Sequence, residues 1–207
     1  RRKAMPIDIR YEAAKYYDLI PSPFEGQDIR FYLELLQAYP KESRRVLELG
    51  CGTGRVLLPM AAQCAYIHGV DLSDAMLELC RAKLVKESIP PERAQVQHGD
   101  ISRLDLGQTF HLITAPFRVM QNLETDEQLD GLFDVVRRHL TPGGTCVLNA
   151  FRPWGDEAMV RQKWAARKDE IMTWEVPVGN GRVACFDTMQ RVHPTKFICY
   201  PRLIYRY

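Results

Sequence analysis

The chain has 207 residues, with 28 Lys and Arg against 26 Asp and Glu, and is 46% hydrophobic. No uninterrupted apolar stretch approaches the ~20 residues of a membrane span, no long basic block marks a nucleic-acid partner, and the length suits one domain, with or without an appendage. Six cysteines, spread without a CxxC pair, suit buried reduced thiols in a reducing cytoplasm better than zinc ligands or a disulfide framework.

The opening RRK reads as a solvated end. Residues 11–39 are helical in pattern, divided by PSPFEG, with Ile29, Tyr32, Leu33 and Leu36 on one face and Pro40 as the stop. After PKESRR, residues 46–49 read as a strand and 56–62 as a helix, with Pro59 near the first turn, where a missing N–H is tolerated. AYIHGVD is a second strand, followed by a helix capped by Ser73 with Met76, Leu77, Cys80 and Leu84 at helical spacing.

AQVQHGD reads as a short third strand and FHLITAPF as a fourth, apolar enough to be central. Thr125 and Gln128 spell a capping box before a helix whose Leu129, Leu132, Phe133, Val136 and Leu140 are expected to face inward. TPGG is expected to turn into a fifth strand over 145–151. Alternating strands and helices predict a parallel sheet covered on both faces.

Beyond Phe151 a helical stretch over 156–168 leads to IMTWEVPV, GNG, RVACFDTMQRV, HPTK and FICYPRLIYRY. Short strands joined by Gly, Asn and Pro turns predict an antiparallel meander, which could cover the site or pair two copies as a homodimer. The organisation expected is an N-terminal helical cap over 1–45, a Rossmann-like, doubly wound cofactor-binding core over 46–151, and an inserted helix and antiparallel strands over 152–207.

In an open α/β sheet, ligands bind where strand carboxyl ends meet the following loops, so VLELGCGTGR marks the site. Gly50, Gly52 and Gly54 allow a tight turn and a close backbone approach. The spacing is GxGxG: a dinucleotide loop needs glycine where Arg55 stands, and the phosphate-binding lysine of a P-loop is absent. Glu48, Asp71 and Asp100 are expected to converge on the same crevice. A like-charge pair ~4 Å apart costs about 1 kcal/mol in water and about 4 at an effective dielectric of 20. Such a crevice disfavours pyrophosphate and suits a sulfonium cation joined to a bare ribose.

These pieces resemble the class I S-adenosylmethionine-dependent methyltransferases, whose successive motifs would fall at VLELGCGTGR, GVDLS, HGDI, FHLITAPF and LTPGGTCVLNAF. The resemblance implies that Gly50 and Gly52 pass close to the cofactor's methionine part, that Asp71 binds the ribose hydroxyls, that Asp100 and Ile101 flank the adenine, and that Ala115 lines the methionine side. Glu48, Cys51, Gly54, Arg55, Leu72, Gly99 and Pro116 are carried into the same cofactor site, and Tyr17 over it as a lid. From the residues alone, Asp71 also suits capping of the next helix, Met76 suits either core or adenine wall, and Cys51 is a small loop residue with no histidine near it to activate its thiol. His111 stands where the family commonly has an acidic residue. The family's fold adds a helix and two strands after such a meander, so the stop at RLIYRY reads as a chain cut short.

Methyl transfer from a sulfonium is an in-line displacement that asks the protein chiefly to position an acceptor and exclude water. An amine attacks without a base, so no catalytic side chain and no metal is assigned. Phe117, Arg118 and Gln121, after the fourth strand, are expected to border the acceptor: the first as an apolar wall, the others as donors to a carboxylate, phosphate or hydroxyl. The Asn-Pro-Pro-Tyr run of DNA and protein-glutamine methylases is replaced by TAPF. The expected partner is therefore a small molecule, with neither nucleic acid nor membrane, and the pattern is similar to methyltransferases of amino sugars and glycine-like amines. The alternatives are a module that binds the cofactor without turnover, and an NAD-dependent oxidoreductase, which Arg55 opposes.

Overall fold

The computed structural model describes residues 14–20, 26–193 and 198–206. Tyr11, the first five residues of PSPFEG, and HPTK beyond His193 lie outside the described residues. In chain order the helices are α1 (Ala14–Tyr17), α2 (Gln27–Leu36), α3 (Leu57–Ala61), α4 (Asp74–Lys86), α5 (Asp126–His139) and α6 (Glu157–Lys163). The strands are β1 (Arg45–Leu49), β2 (Tyr66–Asp71), β3 (Ala94–His98), β4 (Phe110–Ala115), β5 (Leu140–Leu148), β6 (Arg167–Val178), β7 (Gly181–Val192) and β8 (Cys199–Arg206). They fall into two compact units, one within Ser22–Phe151 and one joining Arg1–Pro21 to Arg152–Tyr207.

The first unit is built on a five-stranded sheet in the order β3-β2-β1-β4-β5, with every neighbouring pair parallel. The chain leaves β1 in one direction to reach β2 and β3, then crosses to the other side for β4 and β5. That reversal opens a crevice at the carboxyl ends of β1 and β4. One face of the sheet packs Val46, Ile67 and Leu112 against Tyr32 and Leu36 of α2, Leu57 and Met60 of α3, and Leu77, Cys80 and Leu84 of α4. The other packs Leu47, Leu49, Val70 and Ile113 against Leu132 and Val135 of α5 and against Ile101 and Leu104. The sheet is therefore buried on both sides, as its apolar strands require.

The helix signals lie at their expected positions. Ser73 caps α4 by accepting the Met76 N–H at 3.2 Å, and Thr125 and Gln128 form a reciprocal capping box on α5. Three details differ from the sequence reading. Phe133 is 43% exposed and Val135 takes the inward position, because the buried stripe of α5 runs through Leu132, Val135 and His139. TPGG does not precede the fifth strand. Leu140 already pairs with Phe110, and Thr145 pairs with Leu112, so residues 141–144 bulge out of β5 opposite the single residue His111. The helix expected over 156–168 ends at Lys163, and β6 begins at Arg167.

The second unit is an antiparallel sheet in the order β6-β7-β8, with α1 and α6. Gly179 and Asn180 make a two-residue turn between Val178 and Gly181, which pair across it. Tyr205 on β8 stacks on Tyr16 of α1 at 5.2 Å between centroids and lies 5.9 Å from Trp174 on β6.

Gly131 lets α5 approach the loop after β3, where a Cβ would stand 2.3 Å from the Ser102 carbonyl oxygen. Gly131→Ala must displace backbone rather than a flexible side chain, and is expected to cost about 1–3 kcal/mol. Thermal unfolding of the variant beside the parent checks this.

Candidate active site

The loop after β1 is closed by backbone bonds and by one carboxylate. Gly50 and Cys51 donate their N–H groups to the Val70 carbonyl at 2.7 and 3.0 Å. Asp71, at the end of β2, accepts the Gly52 N–H on Oδ2 at 2.8 Å and the Ser73 N–H on Oδ1 at 2.9 Å. It thus ties the glycine loop to the start of α4. Lys83 of α4 adds a bond from Nζ to the Thr53 carbonyl at 3.0 Å. Gly50 and Gly52 both have positive φ, which disfavours a side chain at either position. A Cβ at Gly50 would collide with Val119 at 2.5 Å, whereas one at Gly52 would meet nothing within 4 Å. Gly52 therefore faces open space, and Gly50 holds the loop against the segment after β4.

Below the loop the carboxylates differ in state. Glu48 on β1 is 2% exposed, and its Oε2 has no hydrogen-bond partner. Burial pushes its carboxyl well above the usual range, with the nearby Cys80 and Asp71 adding to the rise and Arg55 opposing it. Glu48 is accordingly shifted toward its protonated form relative to an exposed carboxyl. Burial also raises Asp71, against the N–H groups of Ser73 and Gly52. Asp100 accepts the Ser102 N–H and hydroxyl on Oδ1 at 2.8 and 2.7 Å. The three carboxylates expected to converge differ in environment: Glu48 is buried with its carboxyl raised, while Asp71 and Asp100 each accept neighbouring backbone N–H groups.

Arg55 is held by Asp28 of α2, which the sequence reading missed. Nη1 donates to Oδ1 at 3.2 Å and Nη2 to Oδ2, and the guanidinium lowers the Asp28 carboxyl. Residue 55 therefore braces the loop against α2. The hydroxyl of Tyr32 on the same helix is pushed up to about 12, mainly by burial and then by Glu48 and Asp28. The Cys51 thiol hydrogen-bonds Cys80 of α4, and that bond and burial hold it protonated.

Across the crevice, the segment after β4 has an unusual backbone. Phe117 and Arg118 both adopt positive φ, 51° and 66°, at about 1–3 kcal/mol each for residues with a Cβ. The pair is held from two sides. Asn149 Oδ1, beyond β5, accepts the Arg118 N–H at 3.1 Å. Gln121 Nε2 donates to the Phe151 carbonyl at 2.9 Å while its Oε1 accepts the Phe151 N–H at 2.7 Å. Gln121 thus departs from the expectation of an acceptor-binding donor, because both ends of its amide fasten this segment to the chain beyond β5. The Arg118 guanidinium lies over the rings of Phe117 and Phe151 at 5.3 and 5.8 Å.

The other anticipated residues are placed as follows. Leu72 is 50% exposed beside Asp71, and Gly99 and Asp100 follow β3. Met76 is buried at 5%, while Ile101 and Ala115 lie in the core with residues of α5. Pro116 is buried after β4. A Cβ at Gly54 would meet the side chains of Leu58 and Cys80. Tyr17 belongs to the second unit, near Tyr205.

A ligand with a cationic amine fits this site, because Glu48 offers a buried oxygen without a partner and the backbone at Gly52 is open. Residues 46–144 match the family described as a methyltransferase domain. The five-stranded parallel sheet, with its glycine loop after β1, has the fold of solved methyltransferases. The chain is similar to the dTDP-4-amino-2,3,4,6-tetradeoxy-D-glucose N,N-dimethyltransferase of Saccharopolyspora spinosa, with 32% identity over 122 residues, 59% of this chain and 45% of that protein. The dTDP-3-amino-3,6-dideoxy-alpha-D-glucopyranose N,N-dimethyltransferase of Streptomyces fradiae is 27% identical over 153 residues, 71% and 55% of the two chains. S-adenosylmethionine-bound CalS10, an amino pentose methyltransferase from Micromonospora echinaspora, shares the fold with a TM-score of 0.63 at 22% identity, covering 99% of this chain and 84% of that one. The chain spans about half the length of the curated relatives it matches.

The Glu48 carboxyl gives a stability test. Its folded pKa lies above the ordinary 4.5, so the folded chain retains a proton that the unfolded chain releases, and stability falls as pH rises from about 4.5 toward the folded value. Glu48→Gln removes that slope. Its melting temperature relative to the parent is expected to improve as pH rises above about 5; parallel pH profiles for the two proteins would count against a raised Glu48 carboxyl.

Proposed function

We propose that the protein transfers a methyl group from S-adenosylmethionine to the amine of a small molecule, with an amino sugar as the first acceptor to test. The observation that carries this is the Asp71 carboxylate, which binds both the glycine loop and the start of α4 at the crevice between β1 and β4. The amino-sugar methylases among the relatives support the acceptor class.

When bound, the sulfonium supplies a methyl group already activated for displacement. In this proposal Asp71 also takes the ribose hydroxyls, since each carboxylate oxygen accepts more than one bond. Leu72, half exposed, would hold the adenine together with Gly99 and Asp100. Glu48 would accept a hydrogen bond from the ammonium of the methionine part on Oε2, its proton passing to solvent, because a nearby positive charge favours the carboxylate. Gly52 allows the backbone to approach the ligand. The acceptor meets the segment at Phe117 and Arg118, and a neutral amine needs no side chain to remove its proton before attack.

The cytoplasm is the proposed compartment, supported by thiols buried at Cys51, Cys64, Cys80 and Cys185. None of the described helices is long and apolar enough to cross a membrane. A second copy is proposed to meet the first along β6, where Ile171 and Met172 are half exposed.

Incubating the full-length protein with methyl-labelled S-adenosylmethionine and a panel of amino sugars is expected to label an acceptor. Asp71→Ala should weaken cofactor binding by about tenfold to a hundredfold, the loss of a charged hydrogen-bond acceptor, and should abolish labelling. Undiminished cofactor affinity in that variant would remove Asp71 from the site, and tight binding with no labelled product would point to a sensor of the cofactor.

A further inference from the structure

Among the arginines of the sheet unit, the side chains at 30, 55, 103, 137 and 138 each lie within ion-pair distance of a carboxylate, and those at 44, 45 and 81 donate to carbonyl or amide oxygens. Arg118 is exposed and, among the described residues, pairs with none; its guanidinium contacts two aromatic faces. The Phe117 ring also carries Arg55 at 5.5 Å, so two cations share one ring while Asp28 balances only Arg55. Stacking on ring faces leaves the edge N–H groups of a guanidinium available, in the planar fork that matches a carboxylate or phosphate. The backbone that presents this group is held by Asn149 and Asn122, and the adjoining Val119 lies against Gly50 of the cofactor loop. A cation is thus fixed beside the loop without a protein anion to match it.

We propose that Arg118 determines acceptor specificity by binding an oxyanion, phosphoryl or carboxylate, that the acceptor carries in addition to its amine. Phe117 and Phe151 set the plane of the guanidinium, and Asn149 is a positioning residue that fixes the backbone beneath it. The assignment rests on the methyl-transfer reading, because only an acceptor beside the cofactor loop would use this cation.

The test is calorimetric and needs no turnover. Full-length protein is first titrated with S-adenosylhomocysteine, then, when saturated, with thymidine diphosphate, thymidine or succinate. One of the two anionic probes is expected to bind, with thymidine at least about tenfold weaker than its diphosphate if the phosphoryl group is what is recognised. R118Q should weaken that anion by about tenfold or more, R118K should recover part of the loss, and S-adenosylhomocysteine affinity should stay at the parent value in both. Succinate bound in preference to thymidine diphosphate would identify the oxyanion as a carboxylate and equally support the role. Equal anion affinity in parent and R118Q, or no anion binding by a protein that does bind S-adenosylhomocysteine, would overturn the assignment while leaving methyl transfer intact. Weakened S-adenosylhomocysteine binding in R118Q would also overturn it, placing the guanidinium on the cofactor's own carboxylate. Failure of the parent to bind S-adenosylhomocysteine would defeat both proposals together.

Discussion

The Asp71 carboxylate accepts one backbone N–H from the glycine loop and another from the first turn of the next helix. Those two bonds join segments 19 and 2 residues away in the chain. Without them, Gly52 would keep its freedom at positive φ and the N-terminus of α4 would lose a satisfied donor. Parallel pairing of β1 with β2 brings the two segments together, with Leu49 opposite Val70. The crevice therefore depends on sheet register first and on one side chain second.

The charge pattern of the crevice follows from burial as much as from composition. Glu48 sits opposite Gly69 on one side and Thr114 on the other, inside the sheet, where water cannot solvate a carboxylate. Thr114 is itself 0% exposed, with an unpartnered hydroxyl oxygen. Two polar groups without partners on neighbouring strands leave capacity for hydrogen bonds at the base of the site. Arg55 contributes a positive charge there, and Asp28 on α2 largely balances it.

Local signals in the sequence were legible where a short-range interaction decides the structure. Ser73 caps α4 three residues away, Thr125 and Gln128 bind reciprocally within one turn, and Met76, Leu77, Cys80 and Leu84 recur at the helical period and are buried. The strands were legible as apolar runs, β2 ending at the expected Asp71 and β4 stopping at Ala115, two residues short of the expected run through Phe117. What escaped depends on distant partners. Nothing near Arg55 announces Asp28, 27 residues earlier, and nothing near Gln121 announces that Phe151, 30 residues later, will take both ends of its amide. The inward turn of Val135 in place of Phe133 is likewise set by what α5 packs upon, and the upward shift of the Glu48 carboxyl by how completely the sheet encloses it.

The excursion within β5 has its own consequence. Pairing resumes at Thr145 and continues through Cys146, Val147 and Leu148 against β4, in register, after four residues have looped out. Pro142 and Gly143 lie exposed at its tip, and a side chain added at Gly143 would meet open space. The edge of the sheet thus contains an elastic joint: chain can be lengthened or shortened there while Asn149, just past the strand, still reaches the residue it holds.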